Sequence, residues 1–102
     1  MPEYVVAKVG DIPDGMGKEV EAAGFSIALY NVGGKYYAMD NICPHRGGPL
    51  AASEVTDGKI MCPLHSWEFR VEDGQCTHMD DVKQECFPVL VEEGVIKVIV
   101  GE

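Results

Sequence analysis

The apolar positions of this chain fall in short runs, and the runs are cut every few residues by Gly, Asp and Asn. The apolar members are mostly β-branched or aromatic. Short runs of this kind, bounded by turn formers, predict strands rather than helices. The predicted strands cover 4–9, 18–23, 25–31, 35–38, 59–61, 67–70, 86–91 and 95–100. Turn signals separate them at 11–15 (Asp11, Ile12, Pro13, Asp14, Gly15), 33–34 (Gly33, Gly34), 57–58 (Asp57, Gly58), 73–74 (Asp73, Gly74) and 92–94 (Glu92, Glu93, Gly94). No stretch holds a helical period over three turns, and repeats, low-complexity tracts and linkers are absent. The expected class is all-β, a barrel or sandwich. Tyr36 and Tyr37 are expected to alternate, one in the core and one outside.

Length and composition narrow this further. At 102 residues with 46% hydrophobic content the chain is expected to form one domain, 1–102, with a modest packed core. Its longest apolar stretches, 25–30 and 95–100, are too short to span a bilayer, and Lys97 interrupts the second. The first residues lack a basic and then apolar leader, so a cytoplasmic, soluble protein without membrane attachment is expected. The formal charge is −9, from 17 acidic and 8 basic residues. Nucleic-acid binding needs a basic stripe, so that class is disfavoured. The acidic surface reads either as a solvated face or as a docking face that steers a basic partner. Four Cys without an export signal favour metal binding over a disulfide framework.

The chemistry concentrates in two clips. One reads Cys43-Pro44-His45 and the other Cys62-Pro63-Leu64-His65, and both fall on loops, after the strands ending near Asp40 and Met61. Each supplies one thiolate and one imidazole. A Rieske [2Fe–2S] cluster needs such a set, two Cys on one iron and two His on the other. Replacing two thiolates by neutral imidazoles removes about two negative charges and raises the potential to roughly −150 to +300 mV, against about −400 mV for plant-type ferredoxins. Gly47 and Gly48 let backbone N–H groups approach a sulfide, and such donors raise potential and fix ligand orientation. Pro44 and Pro63 stiffen the clips, while Pro49, Leu50 and Leu64 are candidates to shield the cluster. Zinc competes for a Cys₂His₂ set, although the common finger order is Cys, Cys, His, His and here the order alternates. Four unrelated side chains are the blandest alternative.

Two stretches carry a resemblance. Residues 41–50, Asn41-Ile42-Cys43-Pro44-His45-Arg46-Gly47-Gly48-Pro49-Leu50, resemble the first Rieske box. Residues 62–69, Cys62-Pro63-Leu64-His65-Ser66-Trp67-Glu68-Phe69, resemble the second. The turn Glu72-Asp73-Gly74 and the closing pattern Phe87-Pro88-Val89 with Glu92-Glu93-Gly94 also fit, so the resemblance runs from about residue 4 to residue 100. The chain is similar to the soluble, low-potential Rieske-type [2Fe–2S] ferredoxins and to the related small subunit of NADH-dependent nitrite reductase. The resemblance implies three stacked antiparallel sheets with the cluster at the tip of the smallest, a cluster-binding insert of about 43–74. It also implies one cluster per chain, with Cys43 and Cys62 on the inner iron and His45 and His65 on the outer iron near solvent.

Departures from the family pattern matter. The extra Cys pair of quinol-oxidising relatives is replaced by Gly48 and Leu64. Their hydroxyl donors after the second His are replaced by Trp67 and Phe69. Fewer donors place the expected potential near the low end, roughly −150 mV. The third loop of the family usually contains proline, whereas 78–82 here has none. The expected function is one-electron carriage from a flavin-containing NAD(P)H reductase to a terminal oxygenase or similar acceptor, as a component of an oxidoreductase system rather than an enzyme by itself. The alternatives are the small subunit of a multicomponent NAD(P)H nitrite reductase-type enzyme, and a non-catalytic module with structural metal. Cys76 and Cys86 are expected to be buried or idle thiols, with a disulfide or a redox-tuning role as the alternative; His78 is expected to be a surface turn residue rather than a proton-transfer group near the cluster, and Trp67 either a packing or a partner-contacting side chain. Arg46 pairs with a partner carboxylate or with Asp40 or Glu68.

Overall fold

The computed structural model describes residues 2–42, 49–62, 67–78 and 81–100. Among the described residues nine strands run in order: β1 (Glu3–Lys8), β2 (Gly17–Ala22), β3 (Phe25–Val32), β4 (Lys35–Asp40), β5 (Lys59–Met61), β6 (Glu68–Arg70), β7 (Cys86–Phe87), β8 (Val89–Glu92) and β9 (Val95–Ile99), with one 3₁₀ turn at Leu50–Ala52. They make three antiparallel sheets, ordered β1-β9-β8, β2-β3-β4-β7 and β5-β6. The all-β expectation holds.

The four-stranded sheet lies in the middle, and residue parity shows why. On one face Val20, Ala22, Ile27, Leu29, Ala38 and Phe87 pack with Ala7, Ile96 and Val98 of the first sheet. On the other, Ala28, Tyr30 and Met39 pack with Leu50, Ile60, Phe69 and Cys76 around the small sheet. β3 is therefore buried on both faces, from Ile27 to Asn31 without a break. A strand covered on both sides reads as a continuous apolar run, as residues 27–30 do, and not as an alternation. This corrects the expectation for the tyrosines. Both are half-buried, Tyr36 against one core and Tyr37 against the other.

Two further differences follow from how the strands pair. The expected strand 86–91 is two strands, divided at Pro88. Proline has no N–H to give a ladder, and here the chain leaves the central sheet for the outer one. β4 runs on to Asp40, since β7 pairs with Ala38 and Met39 and the Asp40 N–H donates to the Glu85 carbonyl at 2.8 Å. The 11–15 turn is more than a surface bend. Ile12 is buried, and the Asn31 amide holds its carbonyl at 2.8 Å while accepting the Gly34 N–H at 2.9 Å. The turn Gly33-Gly34 puts both residues at positive φ, 61° and 90°, the geometry of the tight hairpin turn whose twist matches its strands. Ala23-Gly24 does the same at 52° and 83°, a turn the sequence reading had not marked.

Candidate metal centre

The small sheet is a hairpin, β5 paired with β6 in the register Lys59↔Arg70, Ile60↔Phe69, Met61↔Glu68. Its connection carries the second clip. Ile60 and Phe69 anchor it by burying their side chains in the core. The Cys62 N–H donates to the Trp67 carbonyl at 3.0 Å and closes the loop. Cys62 is 2% exposed, in one apolar cluster with Leu50, Ile60, Phe69 and Cys76. Cys43, His45 and His65 lie outside the described residues, as do Pro44, Arg46, Gly47, Gly48, Pro63, Leu64, Ser66, Met79 and Asp80.

The stems of the first clip are described in full. Ile42 bridges Pro49 across the loop. Asn41, 2% exposed, ties both ends together: its carbonyl accepts the Leu50 N–H and its Oδ1 accepts the Ala51 N–H, each at 2.8 Å. From the central sheet the Tyr30 hydroxyl donates to the Leu50 carbonyl at 2.6 Å. Burial pushes the Tyr30 phenol above its ordinary pKa, so it remains a proton donor. From the other side the Gln84 amide donates to the Asp40 and Ile42 carbonyls at 2.7 and 2.6 Å. The two clips thus leave stems that share one core, through Leu50 and Cys62. The Ser53 hydroxyl joins them again by donating to the Met61 carbonyl.

The segment expected to form the third loop is anchored here as well. Cys76 bridges Phe69, and its N–H donates to the Val82 carbonyl at 3.0 Å. The Thr77 N–H donates to the Glu68 carbonyl at 2.9 Å and its hydroxyl to the Glu68 carboxylate at 3.2 Å. His78 is an exposed turn residue as expected, with Nε2 4.0 Å from the same carboxylate. Trp67 is half-buried against the core. Cys76 is buried and Cys86 half-buried, both as thiols and not as a disulfide. Burial pushes the Cys86 thiol up.

At this end of the molecule Ile42 and Met61, each directly before a clip Cys, are 48% and 46% exposed. The Asp40 carboxylate accepts the Ile42 N–H at 2.9 Å, and Glu68 pairs with Met61 across the hairpin. An apolar pair is therefore edged by carboxylates. Among the described residues no set of three or more His, Cys, Asp or Glu side chains is gathered to hold a metal. Two thiols and two imidazoles, the donors the sequence offers, suit an iron–sulfur centre, and Cys62, the one of them among the described residues, is buried in an apolar wall at one stem. Sequence reasoning gave no role to Asn41, Tyr30 or Gln84. Asn41 adjoins the first clip and could have been suspected there, whereas nothing local distinguishes Gln84.

A family model described as the Rieske [2Fe–2S] domain matches residues 2–96. The ferredoxin component of the alkene monooxygenase system of Xanthobacter autotrophicus is 36% identical, over 97% of this chain and 81% of that one. The ferredoxin component of the naphthalene 1,2-dioxygenase/salicylate 5-hydroxylase systems of a Ralstonia species is 38% identical over 84% of each chain. A chain of the solved complex of reduced oxygenase and oxidized ferredoxin in carbazole 1,9a-dioxygenase superposes with a TM-score of 0.86 at 28% identity, covering 94% of this chain and 91% of that one.

Proposed function

The chain belongs to the Rieske [2Fe–2S] family and is a one-electron carrier with a cluster of that type; from that premise we propose that Cys43, His45, Cys62 and His65 are the cluster ligands and that the carrier serves an oxygenase. The observation that carries the assignment is the shared stem: both Cys/His clips leave one buried cluster of side chains, and Cys62 is buried there. When bound, the cluster supplies a one-electron couple that imidazole ligation places at roughly −150 to +300 mV. Phe69 and Trp67 offer no hydroxyl where relatives of high potential have one, which places this protein near roughly −150 mV. The protein's own part is to hold the four ligands, exclude water on the Cys62 side and leave the Ile42 and Met61 side open. We assign the whole chain to one domain, with the cluster-bearing insert at about 43–74.

The electron donor is a flavin-containing NAD(P)H reductase and the acceptor a terminal oxygenase. Support for the acceptor comes from the two relatives, each the ferredoxin component of an oxygenase system, and from the likeness to a chain of an oxygenase–ferredoxin complex. Ile42 and Met61 supply apolar contact, and Asp40 and Glu68 an acidic edge for a basic counterpart. No helix among the described residues is long and apolar enough to cross a membrane, and the carrier works in the cytoplasm. The nitrite-reductase and structural-metal alternatives have no specific observation in their favour.

The test is an EPR-monitored redox titration with iron and acid-labile sulfide assayed on the same sample. A rhombic signal of low average g, with about two iron and two sulfide per chain and a midpoint near roughly −150 mV, is expected. Zinc without a signal would sink the assignment, and a midpoint near roughly +300 mV would remove the low-potential role. His65→Ala should lose the native spectrum, and His65→Cys should lower the midpoint sharply or lose the cluster. A native spectrum in His65→Ala would overturn the ligand set.

A further inference from the structure

Gln84 is 5% exposed, belongs to neither apolar core, and lies far along the chain from both clips. Its Nε2 donates to the Asp40 carbonyl at 2.7 Å and to the Ile42 carbonyl at 2.6 Å. A side-chain amide has two N–H groups, and both are used. Carbonyls two residues apart on an extended strand point to the same side, while the one between points away. That intermediate carbonyl, of Asn41, accepts the Leu50 N–H instead. The last backbone partners of β4 on this side are Cys86, opposite Met39, and Glu85, whose carbonyl takes the Asp40 N–H. Beyond them the ladder stops, and the Gln84 side chain continues it by one further step.

Gln84 is itself held on its backbone. Its N–H donates to the Gly74 carbonyl at 2.7 Å, and a Cβ at Gly74 would stand 2.4 Å from the Gln84 carbonyl oxygen. The turn after β6 therefore sets Gln84, and Gln84 sets the end of β4. The Ile42 carbonyl is half of the peptide group that joins Ile42 to Cys43. That group is planar, so fixing its oxygen fixes the plane in which the backbone passes to the next residue.

We propose that Gln84 is a positioning residue for the iron–sulfur centre, clamping the Asp40 and Ile42 carbonyls and thereby fixing the backbone where it reaches Cys43. This rests on the reading of Cys43 as a ligand. Without the two donors both carbonyls lose their partner, and the first loop opens more often while the two cores stay intact. Loss of two ordinary hydrogen bonds corresponds to about tenfold to thirtyfold in such an opening.

The experiment uses the cluster-loaded protein. Gln84→Met keeps the length of the side chain and removes both donors. Val98→Ala, buried in the other core, serves as a control for general destabilisation. Iron release to a ferrous chelator, bleaching of the visible absorbance and the EPR g-values of the reduced protein are recorded for all three proteins, with thermal midpoints alongside. Gln84→Met should release iron about tenfold or more faster than wild type, with shifted g-values. Val98→Ala should release iron at a rate explained by its lower midpoint and keep the wild-type g-values. Wild-type release and g-values in Gln84→Met overturn the proposal, as does release no faster than in Val98→Ala of the same midpoint. If Gln84→Met does not fold, Gln84→Glu, which keeps the shape and loses the amide, is judged by the same criterion. Wild-type protein without iron or signal would instead overturn the ligand reading, and this proposal with it.

Discussion

Replacing Gly17 by alanine should destabilise the protein, although the backbone alone argues the opposite. Gly17 starts β2 and is not among the glycines at positive φ. An alanine at a compatible φ usually stabilises by about 0.4–1 kcal/mol, by restricting the unfolded chain. Space decides otherwise. A Cβ at Gly17 would stand 2.6 and 2.7 Å from two ring carbons of Tyr30 and 2.9 Å from the Ala51 carbonyl oxygen. The ring cannot swing aside, because Tyr30 has no exposed surface and its hydroxyl is fixed on the Leu50 carbonyl. The third obstacle is backbone. Overpacking of this kind costs about 1–3 kcal/mol, and the rigidity of both obstacles places it at the upper end, leaving a net loss of about 2 kcal/mol. For 102 residues at roughly 2.1 cal/mol/K each, 1 kcal/mol moves the midpoint by about 5 °C, so a fall of about 10 °C is expected. The assay is thermal unfolding followed by circular dichroism, at one scan rate and equal cluster loading, because iron–sulfur proteins unfold irreversibly and their midpoints are rate-dependent. Tyr30→Leu should cost markedly less stability in the alanine background than in wild type, the sign of a shared clash. A midpoint unchanged or raised by Gly17→Ala, or strict additivity of the pair, would refute the packing argument.

Asp73 accepts the Gln75 N–H at 3.0 Å and the Arg70 Nε–H at 3.2 Å, and these bonds, the backbone one first, hold its carboxyl below the ordinary carboxylate value. Its contribution to stability is thus present above that ordinary value and lost as pH falls through the depressed one. Asp73→Asn should lower the unfolding midpoint at neutral pH and match wild type in strong acid; a gap independent of pH would contradict this. Cys86, raised chiefly by burial, should be alkylated more slowly in the folded protein than after unfolding at pH 8.5. Peptide mapping identifies the modified thiol, and equal rates would count against the buried environment. With a net charge of −9, reduction by a flavin NAD(P)H reductase should slow by about tenfold as added salt shortens the screening length from about 30 to about 10 Å. A flat salt profile would eliminate steering by the acidic surface.

What the sequence made legible follows from how local each cause is. Strands of the outer sheet such as β1 and β9 bury one face, and their short β-branched runs between turn formers mark them. Paired turn residues such as Gly33-Gly34 fix where hairpins reverse. The position of the central sheet was not readable in this way, because a run such as 25–31 reads as a strand whether one face is buried or two. Tyr36 and Tyr37 were misplaced for that reason. Pro88 was visible, but the use made of it, passing the chain between two sheets, depends on which strands β7 and β8 pair with, and pairing is non-local. Ile12 was read as part of a turn because its partners, Asn31 and the first core, lie well away from it in sequence.

The candidate site divides along the same line. The proposed ligands are four reactive side chains in two short clips, and chemistry so compact is visible without any fold. Their support is the reverse case: Tyr30 from β3, Asn41 from the end of β4 and Gln84 from just before β7 converge on the stems of one loop, and each is an ordinary residue in its own segment. A carrier that performs no bond chemistry has only the geometry and surroundings of its ligands to set, so the polar residues that fix those stems bear on function as directly as the ligands do. Three separate segments hold the first clip, two of them distant in sequence, whereas the second is held by its own hairpin, by Cys62 in the core and by Ser53 and Thr77 close by in the chain. The first clip is therefore the one whose hold on iron should respond to changes far away in sequence, which is why a glutamine with no motif around it marks the most informative position to alter.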